Sequence, residues 1–430
     1  MKTIAIIGGG AAGLMAAVAA KENTPDCRVI LFEKNASLGV KVAMSGGGRC
    51  NVTTGIFDVC ELLKNYPRGA KFLMTAMHRF PPEKAAEWFE AHGVPLKTEK
   101  DFRLFPRSDN GKDVVAALVG ELRAKGVEIR CGFSVEQILK KGARFKIILK
   151  EGHEENADAV ILTTGGNAYA QTGSAGDGYA FAQAFGHTIT PLRPSLSAWV
   201  IRESWIKNLA GVSFKKAALT LKTPGGNSYQ RTGALLFTHR GVSGPAVFAL
   251  SSLAAYEPIT IEEPFNLLID FFPEESAEEM NKKCIQLMQQ NPQKKIENFL
   301  DMLFPKSLCR VLTELSKIPA TTIAGNITKS QRALLVRLFK AFPVTAIGYA
   351  AGEEFVTAGG VDLSEVETRT MESKKCPGLY FAGELLDVDG FTGGFNLQAS
   401  WVTGALAGYS ASTIIFNATL ISGERRTVTS

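Results

Sequence analysis

Residues 1–33, MKTIAIIGGGAAGLMAAVAAKENTPDCRVILFE, indicate the fold class of this chain. The segment reads as an apolar strand, a glycine turn, an alanine-rich helix and a second apolar strand that ends on an acid. This order predicts a βαβ unit that binds a dinucleotide. We therefore expect an α/β protein built around a Rossmann-type sheet.

Each glycine of the turn has its own reason to lack a side chain. Gly8 permits the tight turn out of the strand, Gly10 lets the backbone approach a pyrophosphate, and Gly13 lets the helix pack against the sheet. The N–H groups at the helix start, from Ala11 and Ala12, are expected to point at the phosphates, where the helix dipole favours negative charge.

The acid at the end of the second strand predicts the kind of nucleotide. Glu33 lies 20 residues after Gly13 and is expected to accept hydrogen bonds from ribose hydroxyls. It would repel a 2′-phosphate, which argues against NADP at this first site. Lys34, the next residue, is assigned to the same site. A secretory signal is the alternative interpretation of the N-terminus, but Gly8 to Gly10 interrupt its apolar run.

Composition places the chain among soluble globular proteins. It has 430 residues, 45% hydrophobic and 21% charged, which predicts about three domains. No apolar run reaches the roughly 18 residues that span a bilayer, so we expect a cytoplasmic protein without a membrane partner. Seven cysteines without a CxxC pair predict reduced thiols, and the isolated histidines give no metal site.

The pattern along the chain changes three times. Residues 1–190 and 343–418 have the alternating helix and strand pattern of one discontinuous nucleotide-binding domain. Residues 191–272 consist of short strands with turn signals, which predict a small β-barrel or sandwich. Residues 273–342 have helical spacing and are expected to form a helical insert.

A second glycine-rich stretch near the C-terminus, GELLDVDGFTGGFNLQ from Gly383, reads as a turn, an acid, a loop and a helix start. Glu384 is expected to accept hydrogen bonds from a ribityl chain, and Gly394 to permit close approach of a planar ring. N–H groups of Phe395, Asn396 and Leu397 would stabilise negative charge on a reduced isoalloxazine. An ordinary β–turn–α crossover is the alternative for this segment alone.

Three further segments are expected at the same site. The run SGGGRCN could wrap around pyrophosphate and flavin, with Arg49 offsetting phosphate charge, Asn51 bonding the ring edge or ribityl, and Cys50 packing rather than acting as a redox thiol. The turn after the apolar strand at 158–166 faces the cofactor edge, and Lys41 lies nearby. The predicted cofactor-binding residues of these segments are Lys41, Ser45, Gly46, Gly47, Gly48, Arg49, Cys50, Asn51, Thr164, Gly165 and Gly166.

Six ordered motifs resemble those of the BaiN-like flavoproteins, a family of FAD-dependent oxidoreductases that includes aminoacetone oxidases and dehydro-bile-acid reductases. The resemblance covers nearly the whole chain. Its carriers are GGGAAGLMAA from Gly8, SGGGRCNVT from Ser45, RLFPRSDNGKDVV from Arg103, TGSAGDGY from Thr172, THRGVSGPA from Thr238 and GELLDVDGFTGGFNLQ from Gly383.

The resemblance implies a glutathione-reductase-like FAD domain interrupted by a β-barrel and a small helical domain. It implies FAD as the cofactor and places Val135 near the adenine through its backbone. The expected activity is hydride transfer through flavin N5 to or from a small organic substrate, either as a reductase of a polarised double bond or as an amine oxidase. No second glycine fingerprint follows a strand, so NAD(P)H would dock only transiently.

One histidine is a candidate for proton transfer. His239 lies between a predicted strand and helix, where it could donate a proton while hydride moves at N5. The alternative is a structural role, since Ser243 as N-cap and Pro245 in the first turn explain much of this segment.

An RNA-modifying or RNA-binding flavoprotein is the alternative function, because the chain is basic with a net charge of +6. The lysines and arginines are dispersed rather than clustered, so nucleic acid is not the expected partner. The sequence leaves the oligomeric state open.

Overall fold

The computed structural model describes residues 1–350, 352 and 354–424, with side chains as far as Thr413. The chain divides into two compact units, one formed by residues 1–193 with the chain from Phe355 onward, the other by residues 194–354. Numbered in chain order, the strands of the described residues are β1 Thr3–Ile7, β2 Arg28–Glu33, β3 Thr53–Thr54, β4 Leu96–Thr98, β5 Arg103–Pro106, β6 Glu128–Cys131, β7 Val135–Lys141, β8 Arg144–Leu149, β9 Glu154–Ala157, β10 Ala159–Leu162, β11 Arg193–Ser195, β12 Trp199–Ile201, β13 Ser213–Lys222, β14 Ser228–Phe237, β15 Gly241–Ser243, β16 Phe265–Asp270, β17 Phe342–Tyr349, β18 Val356–Ala358 and β19 Leu379–Phe381. The α-helices are α1 Ala11–Asn23, α2 Val40–Met44, α3 Val59–Leu63, α4 Ala70–Arg79, α5 Pro82–Ala91, α6 Gly111–Ala124, α7 Asp177–Ala184, α8 Pro245–Leu253, α9 Ala277–Gln290, α10 Ile296–Leu300, α11 Lys306–Ser316, α12 Lys329–Lys340 and α13 Phe395–Glu424.

The first unit is built on a five-stranded parallel sheet with the order β19-β10-β1-β2-β6. Strand β1, TIAII, is buried along its whole length, as a strand with both faces covered must be. The strand order reverses at β1, because β2 lies on one side of it and β10 on the other. In such sheets ligands bind in the crevice at the carboxyl ends of the strands at this point, and the predicted Rossmann fold is confirmed.

Helices from opposite ends of the chain pack together in this unit. A Cβ atom on Gly404 of α13 would lie 2.3 Å from the carbonyl oxygen of Ala12 in α1, and one on Gly408 would lie 2.0 Å from that of Ala16. These glycines let the two helix backbones touch. The first turn of α1 is therefore held directly by α13.

The second unit contains a closed barrel of six antiparallel strands in the order β12-β15-β14-β13-β16-β17. Helices α9 to α12 follow the fifth barrel strand, and the capping boxes of Ser276 with Glu279 and of Thr328 with Gln331 fix where α9 and α12 begin. The apolar side chains of barrel and helices form one core. The barrel and the helical content predicted from the sequence are confirmed.

Two details of the fold differ from those expected from the sequence. The expected return to the nucleotide-binding domain at residue 343 falls inside β17, which pairs with β16 and β12 and closes the barrel. Ser243 was expected to cap the following helix, but it ends β15, and Gly244 with φ of +106° is the N-cap of α8. Pro245 is the first helical residue, as expected.

Among the described residues, no helix combines the length and apolar character needed to cross a membrane.

Candidate functional site

The glycine turn between β1 and α1 leaves the start of the helix open to an anion. Gly8 has φ of +110°, and a Cβ atom on Gly13 would lie 1.9 Å from the carbonyl oxygen of Gly8. Gly10 gives α1 no side-chain cap, and no described atom lies within 4 Å of the position where its Cβ would stand. The N–H groups of Ala11 and Ala12 lie in the first turn of α1 and have no acceptor within the helix, which suits the binding of a pyrophosphate.

Glu33 ends β2 and is nearly buried, with 9% of its surface exposed. Its carboxylate accepts hydrogen bonds from the N–H groups of Gly9 at 2.7 Å and of Asn35 at 2.8 Å. A carboxylate has about four acceptor positions, so this side chain keeps capacity for hydroxyl donors such as those of a ribose.

The segment before β7 runs beside this acid. The N–H of Gly132 donates to the carbonyl of Asn35 at 2.9 Å, and the N–H of Phe133 donates to that of Glu33 at 3.1 Å. These bonds bring Val135, the first residue of β7, to the same end of the sheet as Glu33. Lys34 forms an ion pair with Asp177 at the N-terminus of α7.

The C-terminal motif meets the N-terminal one at the sheet edge. Gly383 has φ of +73°, and a Cβ atom there would lie 2.8 Å from the Cβ of Ala12. Glu384 follows, and a Cβ atom on Gly166, in the turn after β10, would lie 3.2 Å from its carboxyl carbon. Two stretches separated by more than 350 residues thus form one site.

Lys41 and Glu384 form an ion pair at this meeting point. The Lys41 amine lies 2.7 Å from one carboxylate oxygen of Glu384. The other oxygen accepts a hydrogen bond from the N–H of Thr357 at 3.0 Å. Thr357 belongs to no recognisable motif, so sequence reasoning did not find it.

The turn after β10 has mixed contacts. The Thr164 side chain packs toward α7, because a Cβ atom on Gly178 would lie 1.9 Å from its hydroxyl oxygen. Gly165 has φ of +79° and packs against Ser174. Gly166, by contrast, lies against the carboxyl group of Glu384.

The glycine run after α2 forms an exposed left-handed loop. Gly46, Gly47 and Gly48 have φ values of 58°, 72° and 88°. The loop closes through the N–H of Cys50, which donates to the carbonyl of Ser45 at 2.9 Å. No described atom lies within 4 Å of a Cβ on Gly47 or Gly48, so the backbone there can be approached closely.

The two side chains that follow the loop are engaged within the protein. Arg49 bonds Glu99 at 2.7 Å and lies 3.9 Å above the ring of Phe105, so its charge is already balanced by an acid. Its expected role toward phosphate stays a prediction. Cys50 is fully buried, and burial raises the pKa of its thiol to about 12, as expected for a packing residue.

The start of α13 is held from several directions. With its amide oriented to satisfy its neighbours, Asn51 accepts a hydrogen bond from the N–H of Gly394 at 2.8 Å, and a Cβ atom on Gly394 would lie 2.4 Å from the Thr53 carbonyl oxygen. The side chain of Asn396 accepts from the N–H of Gly390 at 2.8 Å. These amides hold the loop that was expected to approach the flavin ring.

Tyr66 is a further supporting residue that the sequence did not reveal. Its hydroxyl donates to the carbonyl of Phe395 at 2.7 Å, and the two rings meet edge to face. The contact fixes the first turn of α13, to which Leu397 also belongs. The N–H groups of this turn are the predicted donors to the cofactor.

His239 lies in the second unit, in the loop between β14 and β15, and is exposed. Its catalytic role stays a prediction. The described residues hold no cluster of three or more His, Cys, Asp or Glu side chains arranged for a metal ion.

The open helix start at Gly10, the acceptors Glu33 and Glu384 and the uncovered glycine backbone fit the diphosphate, ribose and ribityl groups of FAD. Fold and site define an FAD-dependent oxidoreductase of Rossmann type. The chain belongs to the HI0933-like family, whose Rossmann-domain model matches residues 2–410. The expected resemblance and the expected cofactor, FAD, are confirmed.

Two curated relatives span nearly the whole chain. A 3-dehydro-bile acid delta(4,6)-reductase from Clostridium scindens is 35% identical over 417 residues, which are 96% of this chain and 99% of the relative. A ribosomal RNA dihydrouridine synthase from Escherichia coli is 31% identical over 398 residues, which are 92% of this chain and 94% of the relative.

A solved structure shares the fold. The 3-ketosteroid-delta4-(5alpha)-dehydrogenase from Rhodococcus jostii has a TM-score of 0.53 and 16% identity, covering 96% of this chain and 97% of its own.

Proposed function

We propose that this FAD-dependent oxidoreductase reduces a carbon–carbon double bond conjugated with a carbonyl group in a small organic molecule. The observation that carries the proposal is the chemistry shared by the names of its relatives. A 3-dehydro delta(4,6) bile acid is an unsaturated ketone, and dihydrouridine arises when the ring double bond of uracil is saturated. Both reactions add hydride to an electron-poor double bond.

When bound and reduced by an electron donor, FAD would supply a hydride from N5, and a proton from the protein or from water would complete the saturated product. The protein itself would hold the cofactor and stabilise the negative charge of the reduced flavin ring. N–H groups in the first turn of α13 are suited to stabilise negative charge on the reduced ring, since a helix N-terminus favours an anion. His239 is our candidate for the proton, and NAD(P)H, docking transiently, is our candidate for the electron donor.

Anaerobic reduction tests the proposal. The purified yellow protein is titrated with NADH and NADPH under argon, and a steroid 4,6-dien-3-one is then added. We expect bleaching by one nicotinamide, recovery of the yellow colour with the dienone, and a product two mass units heavier. Bleaching by aminoacetone, with recovery only in air, would instead support the amine-oxidase alternative.

RNA as substrate is the second candidate, favoured by the dihydrouridine synthase names of relatives from Escherichia coli and Haemophilus influenzae. Several arginines are already paired with acids, such as Arg28 with Glu128 and Glu155. We therefore place the small molecule first. An unmodified ribosomal RNA transcript that reoxidises the bleached protein while the dienone does not would reverse this order, and its binding would weaken steeply with salt.

A further inference from the structure

The ion pair between Lys41 and Glu384 joins several segments of the cofactor site. Lys41 lies in the short helix α2, which begins after Gly39, a glycine with φ of +66°. Its amine is 2.7 Å from Glu384 and 3.5 Å from the carbonyl oxygen of Ala168, and it lies 5.9 Å from the ring centre of Tyr169. One ammonium group therefore contacts the C-terminal motif and the turn after β10.

The carboxylate of Glu384 is fixed from its other side as well. Its second oxygen accepts from the N–H of Thr357, and the hydroxyl of Thr357 accepts from the N–H of Asn167 at 2.8 Å. Only 16% of the Glu384 side chain and 32% of the Lys41 side chain are exposed. The pair is therefore partly withdrawn from water. An unpaired carboxylate in such a place is costly in free energy.

From this geometry we infer that Lys41 is a positioning residue for FAD: it neutralises Glu384 and holds its carboxylate as an acceptor for a hydroxyl of the cofactor. Two of the roughly four acceptor positions of the carboxylate are used by Lys41 and Thr357, which leaves room for a hydroxyl donor. Without the ammonium group, the carboxylate would lose the contact that orients it and would turn toward water, away from the cofactor. This role concerns the cofactor and is independent of the substrate.

The same pair bears on how easily the cofactor is reduced. Reduction adds negative charge to the flavin, and an uncompensated carboxylate in the same site opposes it. Removing Lys41 should therefore make the midpoint potential more negative, and neutralising Glu384 should make it more positive.

The test is FAD binding to the apoprotein, followed by flavin fluorescence, for wild type, Lys41→Met, Lys41→Arg, Glu384→Gln and the double variant Lys41→Met/Glu384→Gln. We expect Lys41→Met to weaken binding about tenfold and Lys41→Arg to retain most of the affinity. The double variant should bind FAD more tightly than Lys41→Met, because it leaves no unpaired charge. Lys64→Met, which removes a lysine from an exposed pair with Glu61 on α3, is the matched control and should bind like wild type.

Thermal unfolding of each apoprotein separates positioning from folding. Unchanged unfolding temperatures with weakened FAD binding support the inference. The inference would be overturned if Lys41→Met bound FAD with wild-type affinity, or if the effects of the two substitutions on FAD affinity were additive in the double variant. It would also be overturned if Lys41→Met were already unfolded before FAD is added. Midpoint potentials that shift in the opposite directions would do so as well, whatever substrate the enzyme reduces.

Discussion

The contact between α1 and α13 predicts a strong effect of one added methyl group. In Gly404→Ala the new Cβ would lie 2.3 Å from the carbonyl oxygen of Ala12 and 3.0 Å from its Cα. Both are backbone atoms, and the shorter distance is roughly 1 Å less than an ordinary van der Waals contact. The helices must separate. We expect an overpacking cost of about 3 kcal/mol, at the upper end for such insertions. Alanine recovers about 1 kcal/mol through helix propensity, which leaves a net destabilisation of about 2 kcal/mol.

Gly120 on α6 offers a matched control. It is exposed, and no described atom lies within 4 Å of its Cβ position. Gly120→Ala should therefore stabilise the protein by about 1 kcal/mol. The free energies of unfolding of the two variants should therefore differ by about 3 kcal/mol. At roughly 2–4 °C per kcal/mol, this corresponds to a difference of at least about 6 °C in the unfolding temperature of the FAD unit.

Calorimetry of both apoproteins, with FAD titration as a second readout, measures this difference. Affinity should fall in Gly404→Ala alone, because Ala12 lies in the helix turn that is expected to face the pyrophosphate. A Gly404→Ala protein as stable as Gly120→Ala would refute the close backbone contact.

Three further predictions concern single side chains. Phe102 is 56% exposed with φ of +63°, so Phe102→Gly should stabilise the protein by about 1 kcal/mol in urea unfolding, and a loss of stability would contradict backbone strain there. Iodoacetamide at pH 8 should label exposed Cys60 and spare buried Cys50, because a pKa of about 12 leaves only about one Cys50 thiol in ten thousand ionised. Labelling is followed by mass spectrometry, and rapid labelling of Cys50 in the folded protein would argue against its burial. Burial alone would raise the pKa of Glu365, but hydrogen bonds, first that from Lys375, lower it to about 2. Because its pKa is lower in the folded protein, ionised Glu365 stabilises the fold at pH values above its unfolded pKa, near 4.5, and this contribution is lost as the pH falls toward 2. The free energy of unfolding of Glu365→Gln should therefore be lower than that of wild type at pH 7, and the difference should shrink toward pH 2.

The local sequence was sufficient to predict a residue's structural role wherever that role depends on near neighbours in the chain. The turn at Gly8, the close packing of Gly13 and the helix start at Pro245 all follow from backbone rules that act over a few residues. The barrel was predicted from its strand pattern, but β17 was assigned to the wrong unit, because an alternating strand does not show which sheet it will join.

The partners of the charged and amide side chains became known only from the folded chain. Arg49 bonds Glu99 and Asn51 bonds Gly394, and neither partner could be identified from the sequence. The expected roles of the two side chains toward phosphate and flavin stay predictions. Nothing in the sequence joins Lys41 to Glu384, 343 residues away.

The sequence alone was enough to predict a dinucleotide site at the glycine turns near both ends of the chain, since a missing Cβ has a local conformational meaning. The fold decided which acids and amides complete that site, because ion pairs and hydrogen bonds depend on distances that exist only once distant segments have packed together.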